Sequence, residues 1–255
     1  MSYVSNFRFS FNKNYALNYL NINNYNEYIK MFWVGLMDGN GSIEVNYSKK
    51  KLLQYKLIIK LSSLKSNYDM LIEVAKVIGG IVITTDKDVI WVMNKKQEIE
   101  KIIKIYDIYP PLTSRKICQL EFIKTCLTQN SIKSYLSNRN HKYDKQLTII
   151  KSNFIMLSYF EVWLSGFIEA KGCFSIKKFN NHSFSIGQIY DLYLIEAIKE
   201  YFKINNKVKT MHNKLYILEV YNKEVLLKII THCTNNPLLG EKSKSLETFN
   251  KKLFY

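Results

Sequence analysis

The 255-residue sequence predicts an α+β protein built from two copies of one αββαββα unit, and three observations carry that prediction. Trp33-Val-Gly-Leu-Met-Asp-Gly-Asn-Gly41 and Leu164-Ser-Gly-Phe-Ile-Glu-Ala-Lys-Gly172 share one pattern: an apolar helical run with a glycine in mid-turn, then an acid, a small residue, any residue and a closing glycine. A second landmark recurs, because Tyr109-Pro-Pro-Leu-Thr-Ser-Arg-Lys116 aligns with Asn236-Pro-Leu-Leu-Gly-Glu-Lys-Ser243, placing Pro110 on Pro237 and Arg115 on Lys242. The prolines stand 127 positions apart and the mid-turn glycines, Gly35 and Gly166, 131, so the copies match almost without gaps, as a tandem duplication does. Third, the hydrophobic periodicities between these landmarks run in the same order in both halves.

Each element follows from its local pattern. The helical period stops at Gly41 and Gly172, a helix-ending residue type, and alternation begins with Ser42-Ile-Glu-Val-Asn-Tyr and Cys173-Phe-Ser-Ile-Lys. In the first copy, alternating runs at 41–47 and 52–61 precede an apolar-periodic helix at 69–78, strands near 81–84 and 89–93, and helices on either side of Pro110-Pro111. In the second, runs at 173–178 and 184–188 precede a helix at 192–202, strands at 207–211 and 215–221, and helices around Pro237. These lengths are ordinary for strands and helices. The organisation expected is an N-terminal extension at 1–27, a first repeat at 28–127, a linker at 128–157 and a second repeat at 158–255. The linker is polar and basic, and a structureless insert of ~20 residues is unusual inside a compact domain, so it is expected to carry some helix or a function.

Lys and Arg number 37 against 21 Asp and Glu, a net charge of +16 that calls for a polyanion or an anionic membrane. No apolar run approaches the ~18–20 residues of a membrane span, and the basic residues are spread over strands and loops, which leaves nucleic acid. The bland alternative is a lysine-rich surface that serves solubility alone. Only Arg8, Arg115 and Arg139 are arginines, while Lys, Asn, Ile and Tyr abound and Gly and Pro are scarce, the bias of an A+T-rich, organellar gene. The N-terminus carries neither a signal-peptide core nor an Arg-rich presequence, so import is not indicated. Cys118, Cys126, Cys173 and Cys233 lack metal-site spacing and are expected to be small buried hydrophobes in a reducing compartment.

The repeated nonapeptide resembles the LAGLIDADG signature of homing endonucleases and group I intron maturases, with Trp33 and Leu164 at its first position, and two copies in one chain resemble the single-chain members of mitochondrial introns. The resemblance implies that the motif helices join two pseudo-twofold-related repeats, whose antiparallel sheets form a saddle on the DNA major groove. Gly35, Ser165 and Gly166 would let the helices approach. It further implies magnesium at the helix ends: the eighth motif residue, almost always Asp or Glu, holds the metal, and the seventh, Gly39 or Ala170 here, offers a backbone carbonyl. Magnesium wants oxygen ligands, and in phosphodiester hydrolysis it activates water and neutralises the leaving oxygen.

The eighth residues are Asn40 and Lys171. An amide lacks the charge that attracts the cation, and an ammonium repels it, so the chain is expected to bind metal weakly or not at all and to be cleavage-deficient. Of other acids, Asp38 and Glu169 at the sixth position point away from the eighth and are read as serving helix ends and nearby backbone, whereas Glu44 on the following strand is a weak substitute. The resemblance also gives Arg115 and Lys242 the basic position near the scissile phosphate, and Gln188 that of a groove-bottom residue orienting solvent; a plain surface or capping role stays open for each.

The outward residues of 42–62 and 175–188 are expected to supply most base contacts, among them Asn46, Lys49, Lys50, Lys51, Lys56, Lys60, Lys177, Lys178, Asn180 and Asn181. Tyr47, Tyr55 and Phe179 are read as packing or hairpin-edge aromatics. The function expected is sequence-specific binding of double-stranded DNA by a mitochondrial, intron-encoded monomer unable to cut. A maturase holding group I intron RNA, a still-active or nicking endonuclease, and a structural ribonucleoprotein component remain as alternatives.

Overall fold

The computed structural model describes residues 22–47, 52–151, 154–177 and 181–253, with no description of the Lys177 side chain. Lys49, Lys50, Lys51, Lys178, Phe179 and Asn180, and the side chain of Lys177, lie outside the described residues. The first repeat runs α1 (Ile22–Asn40), β1 (Gly41–Tyr47), β2 (Leu53–Ser62), α2 (Lys65–Ile78), β3 (Ile81–Thr84), β4 (Asp88–Met93), α3 (Lys96–Ile108) and α4 (Ser114–Gln129). Two short helices follow, α5 (Ile132–Asn138) and α6 (Gln146–Lys151). The second repeat is α7 (Phe160–Lys171), β5 (Cys173–Lys177), β6 (Asn181–Ile189), α8 (Leu192–Tyr201), β7 (Lys209–Met211), β8 (Leu215–Val220), α9 (Lys223–Asn235) and α10 (Glu241–Leu253).

The sheets have matching order, β1-β2-β4-β3 and β5-β6-β8-β7, all pairs antiparallel. Alternation sets their faces. Ile43, Val45, Tyr55, Leu57 and Ile59 are buried against helices, and the Tyr55 hydroxyl donates to the Cys126 carbonyl on α4 at 3.1 Å, so Tyr55 is a packing residue as expected. Asn46, Lys56 and Lys60 are left on the opposite face. In the second sheet Phe174, Phe184 and Ile186 point inward, and Phe174 packs on Phe249 of α10 with ring centroids 5.4 Å apart.

The motif helices α1 and α7 cross at the centre with their backbones in contact. A Cβ built on Gly35 would lie 1.9 Å from the Trp163 carbonyl oxygen, and one on Gly166 would lie 1.9 Å from that of Phe32. No larger residue fits at either place, which is why the pattern demands glycine there. Ser165, whose small side chain is fully buried, adds hydrogen bonds to the interface: its hydroxyl donates to the Asn236 carbonyl at 2.8 Å and sits 3.2 Å from His232 Nε2. The motif helices end directly before Gly41 and Gly172, as the sequence suggests. Gly172 has φ −69° and ψ 146°, an extended rather than left-handed conformation; what excludes a side chain is Ile168, whose carbonyl oxygen would be 2.7 Å from a Cβ.

The second landmark belongs to the same interface. Tyr28 on α1 donates through its hydroxyl to the Pro237 carbonyl of the other repeat at 2.6 Å, and Tyr159, which precedes α7, donates likewise to the Pro110 carbonyl. Each repeat thus grips the proline segment of its twin.

Three smaller departures have tertiary causes. Helix α2 starts at Lys65 instead of 69, because Ser66 and Asn67 are buried at its contact with Glu241. Strand β6 starts at Asn181, three residues early, because pairing with Lys177 extends the ladder. Cys173 is exposed, against the expectation of burial, since it falls on the outward face of β5 opposite Ser185, while Cys118, Cys126 and Cys233 are buried.

Candidate nucleic-acid interface and its central cavity

Where α1 and α7 end, residues from both repeats enclose a cavity of about 300 Å³. The seventh motif positions meet there: a Cβ on Gly39 would stand 2.2 Å from that of Ala170 and 3.4 Å from Lys171 Cγ. Lys171 lines the cavity from α7, Arg115 and Lys116 from the first turn of α4, and Gln188 and Tyr190 from the end of β6. The resemblance gives Gln188 a groove-bottom position. Its parity is that of Phe184 and Ile186, so it lies on the inward face, at the point where that face opens on the cavity.

The acids close to this point are engaged by the protein itself. Asp38, 3% exposed, accepts from Leu112 N at 2.7 Å, Thr113 Oγ1 at 2.6 Å, Trp163 Nε1 at 2.8 Å and, more weakly, Thr113 N at 3.3 Å. Glu169 takes amides of the matching segment, Gly240 N at 3.0 Å, the counterpart of Thr113, and Lys242 N at 2.9 Å, the counterpart of Arg115. The sixth-position acids therefore serve helix ends, although the ends are those of α4 and α10 rather than their own. Burial raises the Asp38 pKa to about 6, against the pull of its hydrogen bonds. Asp191, just before α8, accepts from Ser114 N at 3.3 Å, from the Ser114 hydroxyl and from Gln188 Nε2 at 3.1 Å; burial again raises its pKa.

The cations are freer. Lys116 is only 6% exposed and makes no hydrogen bond or ion pair among the described residues; burial lowers its pKa to about 8, with the Asp38 charge opposing that shift. Lys171 keeps solvent contact over much of its length, yet crowding around it lowers its pKa as well. The Arg115 guanidinium lies 5.0 Å from the centroid of the Tyr143 ring, and Gln146 Nε2 donates to Ser114 Oγ at 2.9 Å, so the segment between the repeats braces the start of α4. On the second side, Lys242 occupies the first turn of α10 and donates its amide to Glu169, and Asn40 closes α1, half-buried.

A divalent cation does not suit this donor set. Lys171 brings an ammonium, Asn40 a neutral amide, and Asp38 and Glu169 are committed to backbone donors. Among the described residues no group of three or more His, Cys, Asp or Glu converges in a way that could hold a metal ion. Sequence reasoning missed Lys116 and Asp191. An Asp immediately before the apolar run at 192–202 is a readable helix-start signal, but nothing marks Lys116 apart from its neighbour Arg115.

The outward faces of the two sheets flank the cavity. On the first, Glu44 faces Lys56 across the strand pair, and Lys60 pairs with Asp88 at 2.9 Å. On the second, Lys209 pairs with Glu219 at 2.7 Å, and Asn181 lies exposed at the start of β6. Ile81 and Ile83 are exposed on the outer strand of the first sheet.

The protein-family model described as LAGLIDADG endonuclease matches residues 33–126 and 164–253. The chain belongs to the LAGLIDADG endonuclease family. Its LAGLIDADG motifs are thus 33–41 and 164–172, and both motif glycines act at the helix crossing. A probable intron-encoded endonuclease aI3 of Debaryomyces hansenii is 47% identical over 89% of the chain, which spans 38% of that relative. Its counterpart in Dictyostelium citrinum is 44% identical, over 88% of the chain and 94% of the relative. The fold matches the crystal structure of the I-LtrWI LAGLIDADG homing endonuclease bound to target DNA, with a TM-score of 0.70 at 23% identity over 90% of each chain. LAGLIDADG endonucleases are divalent-metal enzymes in general, which makes the donor set of this member the point of departure for its function.

Proposed function

We propose that this intron-encoded LAGLIDADG protein binds one double-stranded DNA sequence as a monomer and does not cleave it. The observation that carries the reading is the replacement of both eighth-position acids, by Asn40 and Lys171, in an interface that is otherwise built as the family builds it. Cleavage in the family uses a divalent metal, for which magnesium is the natural candidate, and Asn40 with Lys171 offers it no anionic oxygen. DNA binding asks only for the paired sheets and their cations, Lys56 and Lys60 on the first outward face, with Arg115 at the central cavity and Lys242 in the first turn of α10. The relatives named as intron-encoded endonucleases, together with the A+T-biased composition, support synthesis from a mitochondrial intron.

Selection from a random duplex library at moderate salt tests the binding, and a consensus of ~20 base pairs is the expected outcome. With that duplex and magnesium, the natural protein should leave the strands intact, and Asn40→Asp with Lys171→Glu should cut both. Double-strand cleavage by the natural protein overturns the inactivity, and a failure to enrich any DNA sequence overturns the DNA reading in favour of an RNA or ribonucleoprotein role.

A further inference from the structure

We infer that the cavity between the motif helix ends is a metal-free phosphate site, in which Lys116 and Lys171, one from each repeat, hold a single backbone phosphate of the bound nucleic acid. Its first support is Lys116, a charged side chain more than nine-tenths buried that lines the cavity without a hydrogen bond or ion pair among the described residues. Burying an ammonium that no acceptor touches is costly, even with acids in the neighbourhood, and an anion entering the cavity would supply the missing acceptor. Its second is size: about 300 Å³ holds a phosphate group with several waters, at ~30 Å³ of liquid volume per water.

The third support is charge. A divalent cation held by one carboxylate carries a net charge of one positive unit, and the Lys171 ammonium carries the same. The replacement that removes the metal ligand thereby keeps the electrostatic attraction that a central phosphate would feel, without a metal. The two acids nearby, Asp38 and Asp191, offset part of this charge, but Arg115, Lys116 and Lys171 outnumber them around the cavity, and the oxygens of both acids are taken up by donors of the protein, so neither reaches the Lys116 ammonium.

The proposal rests on the DNA-binding reading for the source of the phosphate but not for the site, so two arms separate them. In the first, 15N-labelled full-length protein in EDTA is titrated with inorganic phosphate. Saturable shifts at the amides of Gly39, Lys116, Lys171 and Gln188 are expected in the millimolar range, weakened at least tenfold by Lys116→Met and kept by Lys116→Arg. Shifts scattered over the exposed lysines, or indifferent to Lys116→Met in a variant whose spectrum shows it folded, overturn the site.

In the second arm the selected duplex carries a neutral methylphosphonate at each central phosphate in turn. One position should weaken binding by about tenfold in EDTA, and the loss should vanish in Lys116→Met/Lys171→Met. Binding by the natural protein should be equal in EDTA and in calcium within twofold, whereas Lys171→Glu should bind better with calcium. A calcium requirement in the natural protein, or no sensitive phosphate, overturns the proposal while leaving sequence-specific DNA binding standing. Success of the first arm with no DNA consensus does the reverse.

Discussion

Asp38 is a residue whose conspicuous motif position suggests chemistry and whose surroundings assign it architecture. Three donors within 2.8 Å and a fourth at 3.3 Å use its oxygens, so Asp38→Asn should turn an amide N–H toward one of them. Leaving a buried donor without an acceptor costs about 1–3 kcal/mol, and urea unfolding should show a loss in that range; an unchanged midpoint would contradict the assignment. His232 supplies the pH dependence. It lies between the Ser165 hydroxyl at 3.2 Å and the Tyr201 hydroxyl at 3.0 Å, and burial lowers its pKa to about 4 from 6.5. The unfolded imidazole takes its proton near pH 6.5 and the folded one only near 4, so its contribution is complete above 6.5 and lost as pH falls through that window. Asp38, whose pKa is raised to about 6, contributes the opposite trend over the lower part of the same range. Comparing the natural protein with His232→Gln cancels that term, and the variant should lose less stability between pH 6.5 and 4. Equal slopes would rule out His232 as the source.

At the scale of elements, the α1–α7 crossing sets the tolerance of the fold. A methyl group on Gly35 would meet a backbone carbonyl at 1.9 Å, and backbone cannot rotate away as a side chain can. Gly35→Ala should therefore separate the helices at a cost of about 3 kcal/mol or more, visible as a large drop in melting temperature. The tyrosine grips are smaller levers: Tyr28→Phe, which loses one hydrogen bond to the Pro237 carbonyl, should cost about 1 kcal/mol in chemical denaturation. Periodicity made the strands and most helix limits legible, because each strand buries one face and each helix one stripe. It could not place the start of α2, where Ser66 and Asn67 look like a polar loop until Glu241 of the other repeat arrives to pair with them. Nor could it give Ser165 its partners on the segment after α9.

For the whole molecule, the net charge of +16 overstates what the saddle presents, since Glu44 faces Lys56 and exposed ion pairs tie Lys60 to Asp88 and Lys209 to Glu219. Such pairs are weak, about 0–1 kcal/mol, and a phosphate can displace them. DNA affinity should still fall steeply with salt, by about three to five orders of magnitude between 50 and 200 mM if ~6–10 phosphates are contacted. Titration of binding against salt checks this, and a shallow slope would assign the recognition to uncharged contacts such as Ile81 and Ile83.

The duplication, the order of the elements and the loss of both eighth-position acids are properties of residue identity and spacing, so the sequence by itself determined them. The central cavity is not such a property. Lys116 comes from the first repeat and Lys171 and Gln188 from the second, and only the crossing of α1 and α7 brings them around one space. The fate of the sixth-position acids was likewise decided by packing: Asp38 and Glu169 meet the amides at the starts of α4 and α10 because each repeat folds back on its own motif helix while gripping the proline of the other. A carboxylate shows its charge in the sequence, but which donors use that charge is settled only when the chain has closed around it.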